Sequence, residues 1–178
     1  MSSLHIAMAE HNLSKVARLI KRRKSLIGVD TILFAARYST PAIFSCLMRA
    51  NADINASHSD MRTPLHIAVE YNTPEMCSRL ISFGANVNAQ SSAGCTPLSV
   101  AATSKASMRT VILLLNSGAS ISTSDNDGWT PLHCAIASRH DDMALVLIDR
   151  GADINAKDFS VASPSTMIHL FNSKYPLE

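Results

Sequence analysis

The residues of this 178-residue chain that could do chemistry are seven histidines, fourteen acids and four cysteines. Zinc and catalytic sites need such groups clustered at ligand spacing. Here Cys46, Cys77, Cys95 and Cys134 are separated by 31, 18 and 39 residues, without a CxxC pair. That spacing fits neither a zinc cage nor a dense disulfide framework, so the cysteines read as reduced thiols of an intracellular protein, cytoplasmic or nuclear. His11, His58, His140 and His169 are dispersed, with no pair four apart enclosing a Glu. His58 and Asp60 share a short segment, but two groups do not make a site. No G-x-S-x-G elbow occurs, and there is no glycine-rich loop to cradle a phosphate. Asp141-Asp142 stands at a predicted helix start, where acids complement the helix dipole. We therefore assign no catalytic residue, no metal and no cofactor.

Composition narrows the classes further. The chain is 47% hydrophobic and 17% charged, which supplies a core and argues against disorder. A net charge of +2 is too weak for nucleic-acid binding by bulk electrostatics, and 5% aromatics are too few for a base-stacking platform. No apolar run approaches the roughly 20 residues of a membrane span, and the first residues do not read as a secretory signal. The one dense charge run, Lys21-Arg22-Arg23-Lys24, fits a solvated end of the fold, an import signal or a contact for an acidic partner.

Self-similarity is the main signal. Thr63-Pro64-Leu65-His66 recurs as Thr96-Pro97-Leu98-Ser99 and Thr130-Pro131-Leu132-His133, in steps of 33 and 34. A second phrase keeps the same step: Asn51-Ala52-Asp53-Ile54-Asn55-Ala56, Gly84-Ala85-Asn86-Val87-Asn88-Ala89, Gly118-Ala119-Ser120-Ile121-Ser122-Thr123 and Gly151-Ala152-Asp153-Ile154-Asn155-Ala156. Thr-Pro ahead of apolar residues predicts a helix start, because proline lacks an N–H that the first turn cannot use. Dense apolar stripes such as Val111–Leu115 and Met143–Ile148 predict second helices, with Leu113 and Leu147 buried. Each stripe ends at Gly84, Gly118 or Gly151, and in the earlier unit at Asn51, as a left-handed cap requires. One surplus residue falls within Thr103–Arg109, in the turn between helices, where an insertion is tolerated.

These phrases resemble the ankyrin-repeat family. The resemblance implies a mainly α solenoid of helix-turn-helix units with short β-hairpin fingers, about five repeats plus a partial C-terminal one. The whole of 1–178 reads as one array, with units at about 4–29, 30–62, 63–95, 96–129 and 130–162 and a partial unit at 163–178. His66 and His133 become structural residues, and His5 takes their place in a degenerate first unit. Apolar Met167, Ile168, Leu170 and Phe171 are expected to fold back as a half-repeat lid, the alternative being that further sequence or a partner covers them. The family also implies a non-catalytic adaptor, inhibitor or targeting scaffold, a monomer binding a protein partner, with no nucleic acid and no membrane. Its face would be the concave side formed by finger tips and first helices. On this chain that is Arg37, Tyr38, Ser59, Asp60, Arg62, Glu70, Tyr71, Thr103, Ser104, Asn126, Asp127 and Trp129, with Ser92, Ala93, Cys95, Ala137, Ser138, Phe159 and Ser160 beside them. Tyr, Trp and Arg are the usual interface anchors. Trp129 is equally suited to packing between fingers. The alternative is an enzyme or small-molecule-binding protein using the concave groove, with His58, Asp60, Arg62, Glu70 and Tyr71 near one stretch of it.

Overall fold

Most helices here begin where a threonine or other capping side chain precedes proline or a good helix former, and in seven of the ten the capping side-chain bond is made. Thr40 Oγ1 accepts from Ile43 N–H, Thr96 Oγ1 from Ser99 N–H, and Ser107 Oγ from Thr110 N–H. The computed structural model describes residues 2–71, 73–104, 106–160 and 162–166. Among them are ten α-helices: α1 (Ser3–Ala9), α2 (Leu13–Arg22), α3 (Val29–Tyr38), α4 (Pro41–Arg49), α5 (Pro64–Glu70), α6 (Pro74–Ser82), α7 (Pro97–Thr103), α8 (Met108–Asn116), α9 (Pro131–Ala137) and α10 (Asp141–Asp149). They form five consecutive pairs. First helices pack in a row, α1 on α3, α3 on α5, α5 on α7 and α7 on α9. Second helices α2, α4, α6 and α8 form a parallel row behind them.

The core repeats with the chain. Leu65, Leu98 and Leu132 of the first helices are fully buried, as are Leu47, Leu80, Leu114 and Leu147 of the second. Leu113, expected in the core, is only half-buried, because one residue along a helix turns the side chain by about 100° and Leu114 holds the core register. The second helices of the later units end at Gly84, Gly118 and Gly151 with positive φ, and α4 ends with Asn51 at φ 65°. The turn from α7 to α8 has four residues where those from α5 to α6 and from α9 to α10 have three, so the surplus residue sits in that turn. Asp141 and Asp142 lie in the first turn of α10. The proposed lid residues 167–171 lie outside the described residues.

The fingers differ from expectation. Among the described residues no β-strand forms. Each finger is a tight turn whose two short arms exchange too few bonds for a ladder: Ser91 N–H donates to Cys95 O at 3.0 Å, Asp125 N–H to Trp129 O at 2.9 Å and Asp158 N–H to Ala162 O at 2.9 Å. Tips are tied in series, Ser92 N–H to Asp60 O, Asn126 N–H to Ala93 O and Phe159 N–H to Asp127 O. Glycine is required at two of these tips. Gly94 has φ +78°, and a Cβ there would stand 2.6 Å from Asn126 Oδ1; Gly128 has φ +83°, with Phe159 N at 2.9 Å. Met61, at φ 56° and largely exposed, holds the same place in the first finger.

Deeper in the fingers, asparagines make rungs. Asn55 Oδ1 accepts from Asn86 N–H at 2.9 Å; Asn88 Oδ1 accepts from Ser120 N–H at 2.7 Å, and Asn88 Nδ2 donates to Gly118 O at 3.0 Å. Ser122 occupies the next such place and is too short to reach Asp153. Ser122→Asn is expected to add a rung and raise stability by about 0.5–1.5 kcal/mol, read as a higher denaturation midpoint at unchanged m-value. Leu114→Ala and Leu147→Ala should each cost about 2–5 kcal/mol in chemical denaturation, and Leu113→Ala clearly less.

Candidate functional site

The first-helix side of the N-terminal units carries a cluster of exposed aromatic and cationic side chains. Phe34 and Tyr38 are four residues apart on α3 and therefore share a face; their ring centroids are 4.7 Å apart. The His5 ring of α1 lies tilted against Phe34, with centroids 4.8 Å apart. Arg37 lays its guanidinium over the Tyr38 ring at 4.6 Å and over the Tyr71 ring, at the end of α5, at 4.0 Å. The arginine thus joins two units by cation–π contacts, each worth about 0.5–1 kcal/mol at an exposed site. Both tyrosines stay more than 40% exposed, and among the described residues Arg37 meets no carboxylate.

Beside Tyr71, Glu70 Oε2 accepts from Arg62 Nη2 at 2.7 Å, tying the base of the first finger to α5. Arg62 N–H also donates to Asp60 Oδ1. His58, at the start of that tip, pairs with Asp30 of α3 at 2.7 Å. These are solvent-facing pairs, worth at most about 1 kcal/mol each. They orient the surface more than they hold the fold.

The other expected residues divide into groups. Ser59 and Asp60 are exposed on the first tip, and Asn126 and Asp127 on the third. Asn126 Nδ2 reaches back to Ser92 O at 2.9 Å, so part of its capacity is used within the fold. Trp129 is half-buried against the core, its ring stacked near His133 with centroids 6.4 Å apart. Thr103 Oγ1 donates into its own helix. Ser104 lies elsewhere: it lines an open depression of about 500 Å³ with Met108, Arg139, His140, Asp141 and Met143, and its hydroxyl is buried without a partner among the described residues. The structure therefore brings Arg37, Tyr38, Tyr71, Arg62, Glu70 and Asp60 together and leaves Ser104 in a different depression. The sequence named His5 only as the counterpart of the phrase histidines and did not single out Phe34, although the four-residue spacing of Phe34 and Tyr38 is visible in it.

The histidines of the repeat phrase are structural. His66 Nδ1 accepts from Thr63 N–H at 3.1 Å, which puts the ring proton on Nε2. Nε2 then donates to Cys95 O at 3.0 Å, fastening the next finger. His133 makes the same bonds to Thr130 and Ala162. Burial pushes the thiols of Cys77 and Cys134 up to about 12, as inert core groups. Cys134 is in the core, and Cys95 is half-buried. No cluster of His, Cys, Asp and Glu able to hold a metal occurs among the described residues.

Burial also holds the His66 imidazole below its ordinary 6.5, with the Arg62 charge adding to the effect and the bond to Cys95 O opposing it. The unfolded chain, with an ordinary histidine, takes up the proton first as pH falls. The stability His66 contributes is thus complete above about pH 6.5 and is lost as pH drops through its folded value. Thermal unfolding followed between pH 7.5 and 5 should show a falling midpoint, and the His66 ring resonances should titrate with a midpoint below 6.5.

The comparisons with known proteins agree with this architecture. No curated protein matches the chain. The family model described as ankyrin repeats (3 copies) matches residues 4–125 and 72–158. With helix pairs, fingers and phrase histidines in place, the chain belongs to the ankyrin-repeat family.

Proposed function

We propose that this chain is a non-catalytic protein-interaction module, an adaptor, inhibitor or targeting scaffold, that docks a partner protein on its first-helix ends and finger tips. Ankyrin repeats in general are protein-interaction modules. The observation that carries the reading is Arg37 held between Tyr38 and Tyr71. Ordering a long cation between two half-exposed rings before any partner arrives lowers the entropy cost of binding. Arginine and tyrosine are also the residue types that concentrate binding energy. Arg62, Glu70, Ser59 and Asp60 supply a polar rim, and the face continues along the tips through Asn126 and Asp127 toward Trp129 and Thr103. An uncompensated guanidinium at its centre favours a partner that brings a carboxylate to that point. Among the described residues no helix is long and apolar enough to cross a membrane.

The test is quantitative affinity capture from native cell extract with mass spectrometry, comparing wild type with Arg37→Ala/Tyr71→Ala. Proteins retained by the wild type should fall at least about tenfold with the variant, while its circular dichroism and melting stay close to wild type. Equal retention by both forms would remove this face from consideration. An unfolded variant would show that the two residues belong to the scaffold instead.

A further inference from the structure

The three finger-bearing connections between successive helix pairs are fourteen residues long, 50–63, 83–96 and 117–130, but the connection from α2 to α3 has six, 23–28. The first unit has no finger. In its place a single 3₁₀ turn, Lys24–Leu26, leads to Ile27 and Gly28. An open groove of about 570 Å³ remains between this turn and the finger of the next unit, lined by Lys24, Ile27, Gly28, Val29, Ala52 and Asn55 among others.

What is missing from the groove can be read from the repeat itself. In two of the three later units an asparagine of the preceding finger fills this position, the exception being Ser122: Asn55 accepts from Asn86 N–H, and Asn88 accepts from Ser120 N–H while donating to Gly118 O. The matching groups in the first finger are Asp53 N–H and the Asn51 carbonyl. Without a preceding finger they meet no carboxamide. The Asp53 carboxylate does not substitute, since it accepts from Asn55 N–H within its own turn. The rim is basic. Arg22, Arg23 and Lys24 are exposed, and among the described residues none of them pairs with a carboxylate.

We infer that this groove is a second docking site, separate from the Arg37–Tyr71 face, for a turn-forming segment of a partner protein that supplies an asparagine to Asp53 N–H and Asn51 O and acidic residues to the Lys24 rim. The segment takes the place of the absent finger, so its main chain runs along the finger edge as residues 51–57 run along the finger after them. Charge complementarity selects the acidic flank, and the carboxamide selects the register. A second copy of this chain fits poorly as occupant, because the free end of the last finger is engaged: Ser165 N–H donates to Ile154 O and Ser165 Oγ to Asn155 Oδ1.

The full chain, labelled with nitrogen-15, is titrated with the blocked peptide Glu-Glu-Asn-Ala-Asp-Ile-Asn-Ala-Ser, which copies the finger sequence behind two glutamates. Amide shifts should centre on Asp53, Ala52, Gly28 and Lys24. Replacing the second peptide asparagine by Ala, or the protein's Arg23 and Lys24 by Glu, should each weaken binding about tenfold, and added salt should weaken it further. The charge-reversed variant keeps its α7–α10 resonances in place if it is folded, and the peptide substitution needs no folding control. Absence of binding, shifts centred on Arg37 and Tyr71, or equal affinity for the Ala peptide would each overturn the inference. Sedimentation showing peptide-sensitive dimers would also overturn it, by making a second copy the occupant.

Discussion

Helices of seven and nine residues are too short to stand alone in water, and one pair of them has nothing to bury both faces against. Burial comes only from the next pair. This fixes the rest of the molecule. Each unit must present its leucine at the same height as its neighbour's, which is why Leu47, Leu80, Leu114 and Leu147 recur in step and are all closed to solvent. It also decides where the surplus residue of the fourth unit can go. Inside a helix it would swing every later apolar side chain by about 100°, whereas in the turn between α7 and α8 it disturbs no register.

The fingers have no comparable core and are held by a few polar bonds that vary from unit to unit. His66 and His133 fasten the following finger through Nε2, but Ser99 stands at the third such place and cannot reach that far. Its hydroxyl is used locally with Thr96 instead. The same region is supported by other means. Gln90 Nε2 donates to both Gly94 O and Ser124 O, and Asn126 reaches back to Ser92. Loss of one bridging imidazole is thus offset by two carboxamides, and the fingers keep their spacing although their chemistry changes.

Much of this was legible in the sequence, because a repeated fold states each rule several times. Thr-Pro gave the helix starts, Gly84, Gly118 and Gly151 the helix ends, and two phrases in one period gave the family. The failures have physical causes. Leu113 and Leu114 lie in an unbroken apolar stripe, and composition alone cannot say which of them faces the core. The fingers read as β-hairpins, yet arms that exchange so few bonds do not form strands. Arg37 and Tyr71 were both named as surface residues, but their contact crosses from one unit to the next, and no local pattern encodes it. Ser104 was grouped with them by its place in the repeat, whereas the longer turn carries it into a different depression.

The N-terminal units depart from the internal pattern at several places. The C-terminal units keep Asp125 and Asp158 to organise their finger tips, with Oδ1 of each accepting at least two backbone N–H groups. In the first finger His58 holds that place, bonded outward to Asp30, while Met61 accepts a left-handed backbone where the next two tips use Gly94 and Gly128. The connection from α2 to α3 carries no finger, and the arginine held between tyrosines lies in the adjoining units. A repeat needs none of these features to fold, since the C-terminal units do without them. Where a chain that could follow its own rule departs from it several times in one region, the departures are best explained by what that region binds. That argument supports the proposed docking face centred on Arg37 and Tyr71.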